Sequence, residues 1–81
     1  MDRDNILSTI LTQIREVVPD LAAHPFRPED AMGDIGIDSV DRQEILILTL
    51  EAIGLDISMV QLHGPRNIGE LADLLHAKLA A

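Results

Sequence analysis

The sequence predicts an all-α fold of three longer helices and one short helix, with a long first loop. Apolar residues recur at spacings of three and four in three separate stretches, and prolines and glycines interrupt the chain between them. Of the 81 residues 47% are hydrophobic, yet Phe26 is the single aromatic, so the core must be aliphatic. With 25% charged residues the composition is globular rather than disordered, and the length suits one small domain spanning 1–81.

The first stretch places Ile6, Leu7, Ile10, Leu11, Ile14, Val17 and Val18 on one face, with Ser8, Thr9, Thr12, Gln13, Arg15 and Glu16 on the other. This is an amphipathic helix with Asp2 or Asp4 as its cap and Pro19 as its stop. Asp20 to Ile37 follows as a long connection holding Pro25, Pro28, Gly33 and Gly36, and Phe26, Met32, Ile35 and Ile37 are expected to pin it to the helices. Loops of this length in a small domain are often functional.

The second helix is expected from Ser39 to Ile53, ending at Gly54. Ile45, Leu46, Ile47, Leu48, Leu50 and Ile53 are too many for one buried stripe, so some face outward, Ile47 first among them. Asp38, Asp41, Glu44 and Glu51 share this segment with one cation, Arg42. Apolar positions ringed by acids suit a docking face, and a merely solvated acidic helix suits the same pattern. Ser58 to His63 then reads as one or two helical turns built on Met59, Val60 and Leu62, broken by Gly64-Pro65. Asn67 caps the last helix with Glu70 three residues on, close to a capping box. Its core stripe is Ile68, Leu71, Ala72, Leu75 and Leu79, supported by Leu74.

A formal net charge of −8 argues against a nucleic-acid binder, which needs clustered Lys and Arg. It suits docking on basic surfaces of partners, and solubility alone accounts for it equally well. The absence of cysteine excludes a disulfide framework, a thiolate metal site and a cysteine nucleophile. Met1-Asp2-Arg3-Asp4-Asn5 is not a signal peptide and no apolar run approaches membrane-spanning length, so a cytoplasmic monomer without membrane contact is expected.

The chemistry centres on Ser39, within Gly33-Asp34-Ile35-Gly36-Ile37-Asp38-Ser39-Val40-Asp41-Arg42. With Asp38 as N-cap, Ser39 falls in the first helical turn with its hydroxyl toward solvent. A phosphate ester there would meet free N–H groups and the positive end of the helix dipole. Asp-Ser before an apolar run is also an ordinary helix start, and local physics alone favours that plain cap. A serine hydrolase is disfavoured, because the glycines of Gly-x-Ser-x-Gly are replaced by Ile37 and Asp41, and His24, His63 and His76 are scattered. An EF-hand fails as well, since Ser39 and Ile45 stand at its sixth and twelfth positions. A helical adaptor stays open, although it gives an exposed serine no purpose.

Ile35-Gly36-Ile37-Asp38-Ser39-Val40 closely resembles the acyl carrier protein motif, an Asp-Ser-Leu at the start of the second helix after a Leu/Ile-Gly-x stretch. Val40 stands for the usual leucine, and size, acidity, helix pattern and first loop extend the resemblance over nearly the whole chain. It implies a four-helix carrier bundle that is not an enzyme and that bears 4′-phosphopantetheine on Ser39, installed by a phosphopantetheinyl transferase. The arm supplies the thiol that a cysteine-free chain lacks. It also implies that basic partners dock at Asp38, Val40, Asp41, Glu44 and Ile47. Carriers of peptide synthetases commonly have Gly-Gly-His/Asp-Ser, from which Gly36-Ile37 departs.

Ser39-Val40-Asp41-Arg42-x-Glu44-Ile45, Thr49-Leu50-Glu51 and Gly64-x-x-Asn67-Ile68-Gly69-Glu70-Leu71 resemble more narrowly the free-standing donor carriers of polyketide β-branching cassettes. That resemblance implies a malonyl thioester decarboxylated to acetyl, and as partners an acyltransferase, a decarboxylase and a synthase resembling hydroxymethylglutaryl-CoA (HMG) synthase. Arg42, one reversed charge in an acidic face, is expected to help that synthase select its carrier; a stray surface arginine is the plain alternative. Generic fatty-acid or polyketide carriage is the runner-up.

Overall fold

The computed structural model describes residues 1–80. Its order is α1 (Arg3–Val17), a 3₁₀ turn (Pro19–Leu21), a second 3₁₀ turn (Met32–Ile35), α2 (Ser39–Ile53), a third 3₁₀ turn (Met59–Leu62) and α3 (Ile68–Ala80). Among the described residues no helix is long and apolar enough to cross a membrane.

α1 is the element on which both other helices pack. Ile6, Ile10 and Ile14, four residues apart, are fully buried and form its contact ridge, while Leu7, Leu11, Val17 and Val18 are half-buried at its edges. Each fully buried aliphatic side chain contributes about 1.5–3 kcal/mol relative to exposure. Ile45, Leu46, Leu50 and Ile53 of α2 and Ile68, Leu71, Ala72 and Leu75 of α3 close the core from the other side. Leu74 and Leu79 are only partly buried against it.

Helix ends follow their local chemistry. The Asp2 carboxylate accepts from Asn5 N–H at 2.8 Å and so is the cap of α1, while Pro19, with no N–H, stops it. α2 ends in a Schellman motif: Gly54 has φ +70°, its N–H donates to Glu51 O, and Leu55 N–H donates to Leu50 O at 3.0 Å. The Asn67 amide oxygen accepts from Glu70 N–H at 2.7 Å, as a cap should. Glu70, however, takes its hydrogen bond from Arg66 N–H at 3.0 Å, one residue before the cap, so the capping box is offset.

The expected fourth helix is a single 3₁₀ turn. Residues three apart eclipse in such a turn, so Met59 and Leu62 both reach the core while Val60 stays 74% exposed. Of the three apolar residues on which this segment was expected to be built, Val60 therefore stays outside the core.

The long first loop is fastened at both ends and in the middle. Phe26 lies under the Arg15 guanidinium of α1 at 5.0 Å and takes the edge of His24 at 4.8 Å. Met32 and Ile37 are buried, and Ile35 packs partly against the core. Across the molecule, the otherwise unpaired N–H groups at the start of α3 donate to the loop: Ile68 N to Asp30 O at 3.0 Å and Gly69 N to Pro28 O at 2.7 Å.

That close approach suits glycine, because a Cβ at Gly69 would stand 3.0 Å from Pro28 Cβ and 3.1 Å from Pro28 O, and the loop would have to give by a few tenths of an ångström. Alanine favours a helix by roughly 1 kcal/mol over glycine, but overpacking against backbone costs about 1–3 kcal/mol. We expect Gly69→Ala to lower the melting temperature by roughly 5–10 °C, read by circular dichroism. An unchanged or raised melting temperature would show that the loop yields freely.

The Arg66 N–H, and secondarily the Arg66 guanidinium, hold the Glu70 carboxyl below the ordinary glutamate value. A depressed folded-state pKa stabilises the fold above the unfolded value and loses that contribution as pH falls through the folded one. Acid titration is therefore expected to loosen the start of α3 only below the usual glutamate range, and Glu70→Gln should abolish this step in amide exchange at Arg66.

Candidate functional site

The site is assembled from the second 3₁₀ turn and the first turn of α2. The turn closes through Asp34 N–H to Ala31 O at 3.0 Å and Ile37 N–H to Met32 O at 3.0 Å. Gly36 follows at φ +91°, a left-handed conformation that costs any L side chain roughly 1–2 kcal/mol. This reversal drops Ile37 into the core, where it is 4% exposed, and leaves Asp38 extended at φ −79°, ψ 175°. The Asp38 carboxylate then accepts from Asp41 N–H at 2.8 Å. Ser39 is the first residue of α2 and is exposed.

Among the described residues, neither the Ser39 hydroxyl nor the Ser39 and Val40 N–H groups have a protein partner. The serine thus offers an unencumbered oxygen beside two free donors and the positive end of the α2 dipole. Among the described residues none is placed to act as its base. His24 lies 3.8 Å from Asp30, and His63 and His76 are exposed, with none hydrogen-bonded to Ser39. The arrangement suits a hydroxyl that receives a group, and an attached phosphate ester fits it.

Val40, Glu44 and Ile47 form an exposed stripe along α2, with Val40 at 74% and Ile47 at 41% exposure. Glu51 extends it and Asp38 is exposed at its head, while Asp41 is half-buried on its flank. The outward position expected of Ile47 is what the structure shows. Thr49, by contrast, is fully buried, its hydroxyl donating to Ile45 O at 2.7 Å.

Arg42 does not share that stripe. Two residues beyond Val40 is about 200° round a helix, and Arg42 is half-buried beside Ala31, Met32, Gly33, Arg66, Asn67 and Leu71 around a cavity of about 130 Å³. The sequence could not place it, because a charge in a helical first turn can face either way.

A second concavity adjoins Ile47: an open apolar groove of about 380 Å³ lined by Leu50, Leu55, Ile57 and Met59. Sequence reading singled out only Ile47. The surplus of apolar residues in α2 is a signal for Leu50 alone, three residues on from Ile47; Leu55, Ile57 and Met59 lie beyond α2 and reach the groove only through the fold.

No family model matches the chain. It is 46% identical over 79 residues to the polyketide biosynthesis acyl-carrier-protein AcpK of Bacillus subtilis (strain 168), covering 98% of this chain and 96% of the relative. It is also similar, at 42% identity and a TM-score of 0.91, to a chain in the crystal structure of the curacin biosynthetic pathway HMG synthase in complex with acetyl donor-ACP. That match covers 95% of this chain and 99% of the other, so the two chains are of nearly the same length.

Proposed function

The chain belongs to the acyl carrier protein family, and on that premise we propose that it is the acetyl donor of a polyketide β-branching system, carrying its acyl group on a 4′-phosphopantetheine arm at Ser39. The observation that carries this reading is the free Ser39 hydroxyl at the capped start of α2, with two unpaired N–H groups beside it. In loading, the Ser39 oxygen forms the new bond to phosphorus, the pyrophosphate bond of coenzyme A breaks, and adenosine 3′,5′-bisphosphate leaves. The transferase takes the serine proton, because no base among the described residues bonds to Ser39. Once attached, the arm supplies a terminal thiol that holds the acyl group as a thioester.

What the chain itself contributes is presentation. Gly36, Ile37 and Asp38 hold Ser39 outward, and tethering raises the effective concentration of the acyl group at each enzyme visited. Asp38, Val40, Asp41, Glu44 and Ile47 form the face that meets basic partners, the apolar side chains supplying contact and the acids steering. The partners are a phosphopantetheinyl transferase, an acyltransferase and a decarboxylase that together generate the acetyl form, and an HMG-synthase-like enzyme that consumes it. That enzyme adds the acetyl carbanion to a β-ketone held on another carrier. The carrier works as a monomer in the cytoplasm and catalyses nothing itself.

Intact-protein mass after incubation with coenzyme A and a promiscuous transferase tests the site. Wild type is expected to gain one phosphopantetheine and Ser39→Ala none. No gain on folded wild type would leave Asp38-Ser39 as a plain helix cap in an adaptor. Loaded protein whose acetyl form no HMG-synthase-like enzyme accepts would instead be a generic fatty-acid or polyketide carrier.

A further inference from the structure

Arg42 is a half-buried residue whose side chain has no ion pair or hydrogen bond among the described residues. Arg3 pairs with Asp73, Arg66 with Glu70, and Arg15 lies over Phe26, while Arg27, whose side chain also lacks a partner among the described residues, is exposed to water. An arginine held partly out of water without an acceptor, beside a cavity of about 130 Å³, is poised for an anion the bare chain does not contain. Ser39 is three residues before it on α2, so the two side chains are surface neighbours, with Cβ atoms about 5–6 Å apart in such pairs.

Resting on the carrier reading above, we propose that Arg42 holds the phosphodiester that joins the arm to Ser39. The guanidinium fork meets two phosphate oxygens, while the free Ser39 and Val40 N–H groups meet the same anion from the helix end. Arg42 is a positioning residue. Through it the arm leaves Ser39 over the cavity walled by Ala31, Met32, Gly33 and Asn67. The Val40–Glu44–Ile47 stripe, on the opposite side of α2, stays clear for the partner. Arm and docking face are thereby separated around one helix. A lysine would carry the same charge without the two-pronged geometry, so Arg42→Lys is the informative conservative change.

The test compares apo and loaded protein, with loading verified by intact mass, in wild type, Arg42→Gln and Arg42→Lys. In ¹H–¹⁵N spectra the Arg42 Nε–H signal should shift and exchange more slowly on loading, and should not move in Ser39→Ala treated identically. The ³¹P resonance of the loaded form should differ between wild type and Arg42→Gln, with Arg42→Lys between them. Arm amide signals should sharpen in Arg42→Gln as the arm becomes more mobile.

A fully loaded protein whose Arg42 signal and ³¹P resonance ignore these changes overturns the proposal while leaving the carrier reading intact. So does an Arg42 signal that moves only in the malonyl form, which would give the guanidinium to the acyl carboxylate. Weakened synthase binding in Arg42→Gln with an unchanged ³¹P resonance would assign Arg42 to docking and overturn it likewise. Failure to load at all sinks the carrier reading first, and the mass spectrum alone shows it.

Discussion

Replacing Ile37 by alanine is expected to destabilise the domain by about 2–4 kcal/mol and to slow transferase loading of Ser39 beyond what instability explains. Ile37 is 4% exposed and is the anchor immediately before the Asp38 cap. Truncating it opens a cavity in the aliphatic core and frees the turn that Gly36 reverses. For a domain of this size the stability loss amounts to a melting temperature lower by roughly 10–25 °C. Leu75→Ala is the control, because Leu75 is fully buried in α3 and remote from the cap in sequence. Its stability cost should be similar, so loading rates measured well below both melting temperatures separate the two effects. Equal kcat/KM for the two variants would mean that Ile37 serves only the core.

Ile47→Asp is expected to weaken association with an HMG-synthase-like partner about tenfold or more, with little change in melting temperature. Ile47 is 41% exposed at the end of the Val40–Glu44–Ile47 stripe and borders the groove lined by Leu50, Leu55 and Met59. An added carboxylate there must be desolvated against whatever apolar surface the partner brings. Glu44→Lys should act differently: it reverses a steering charge, so the association rate falls and its dependence on salt weakens. Titration calorimetry and stopped-flow measurements on the loaded carrier distinguish the two. If Ile47→Asp binds as wild type does, the docking face lies elsewhere on the molecule.

Both experiments turn on residues that differ in how legible they were. Ser39, its cap and the limits of α2 at Ser39 and Ile53 could be read directly, because capping and helical periodicity act over a few residues. Gly36 and Gly54 could be flagged for the same reason, and both take positive φ. The core ridge Ile6, Ile10 and Ile14 is a subset of the apolar face that periodicity outlined. Which members of that face became the ridge and which the edge depended on where α2 and α3 pressed against it.

The sequence by itself determined the all-α class, the positions of three helices, the aliphatic core and the exposed serine at a helix start. Each rests on short-range chemistry: side-chain period, a capping carboxylate, a proline or glycine where a helix must stop. The sequence limited Ser58–His63 to one or two turns, and only the tertiary structure decided that Met59–Leu62 is one 3₁₀ turn, since Met59 and Leu62 both have to reach the core. It also decided that the first loop is tied to α3 through Pro28 and Asp30, a contact between segments far apart in the chain. The side of α2 that Arg42 occupies belongs with these: a first-turn arginine pairs with whatever the fold brings alongside, and here the fold brings a cavity and, among the described residues, no ion-pair partner.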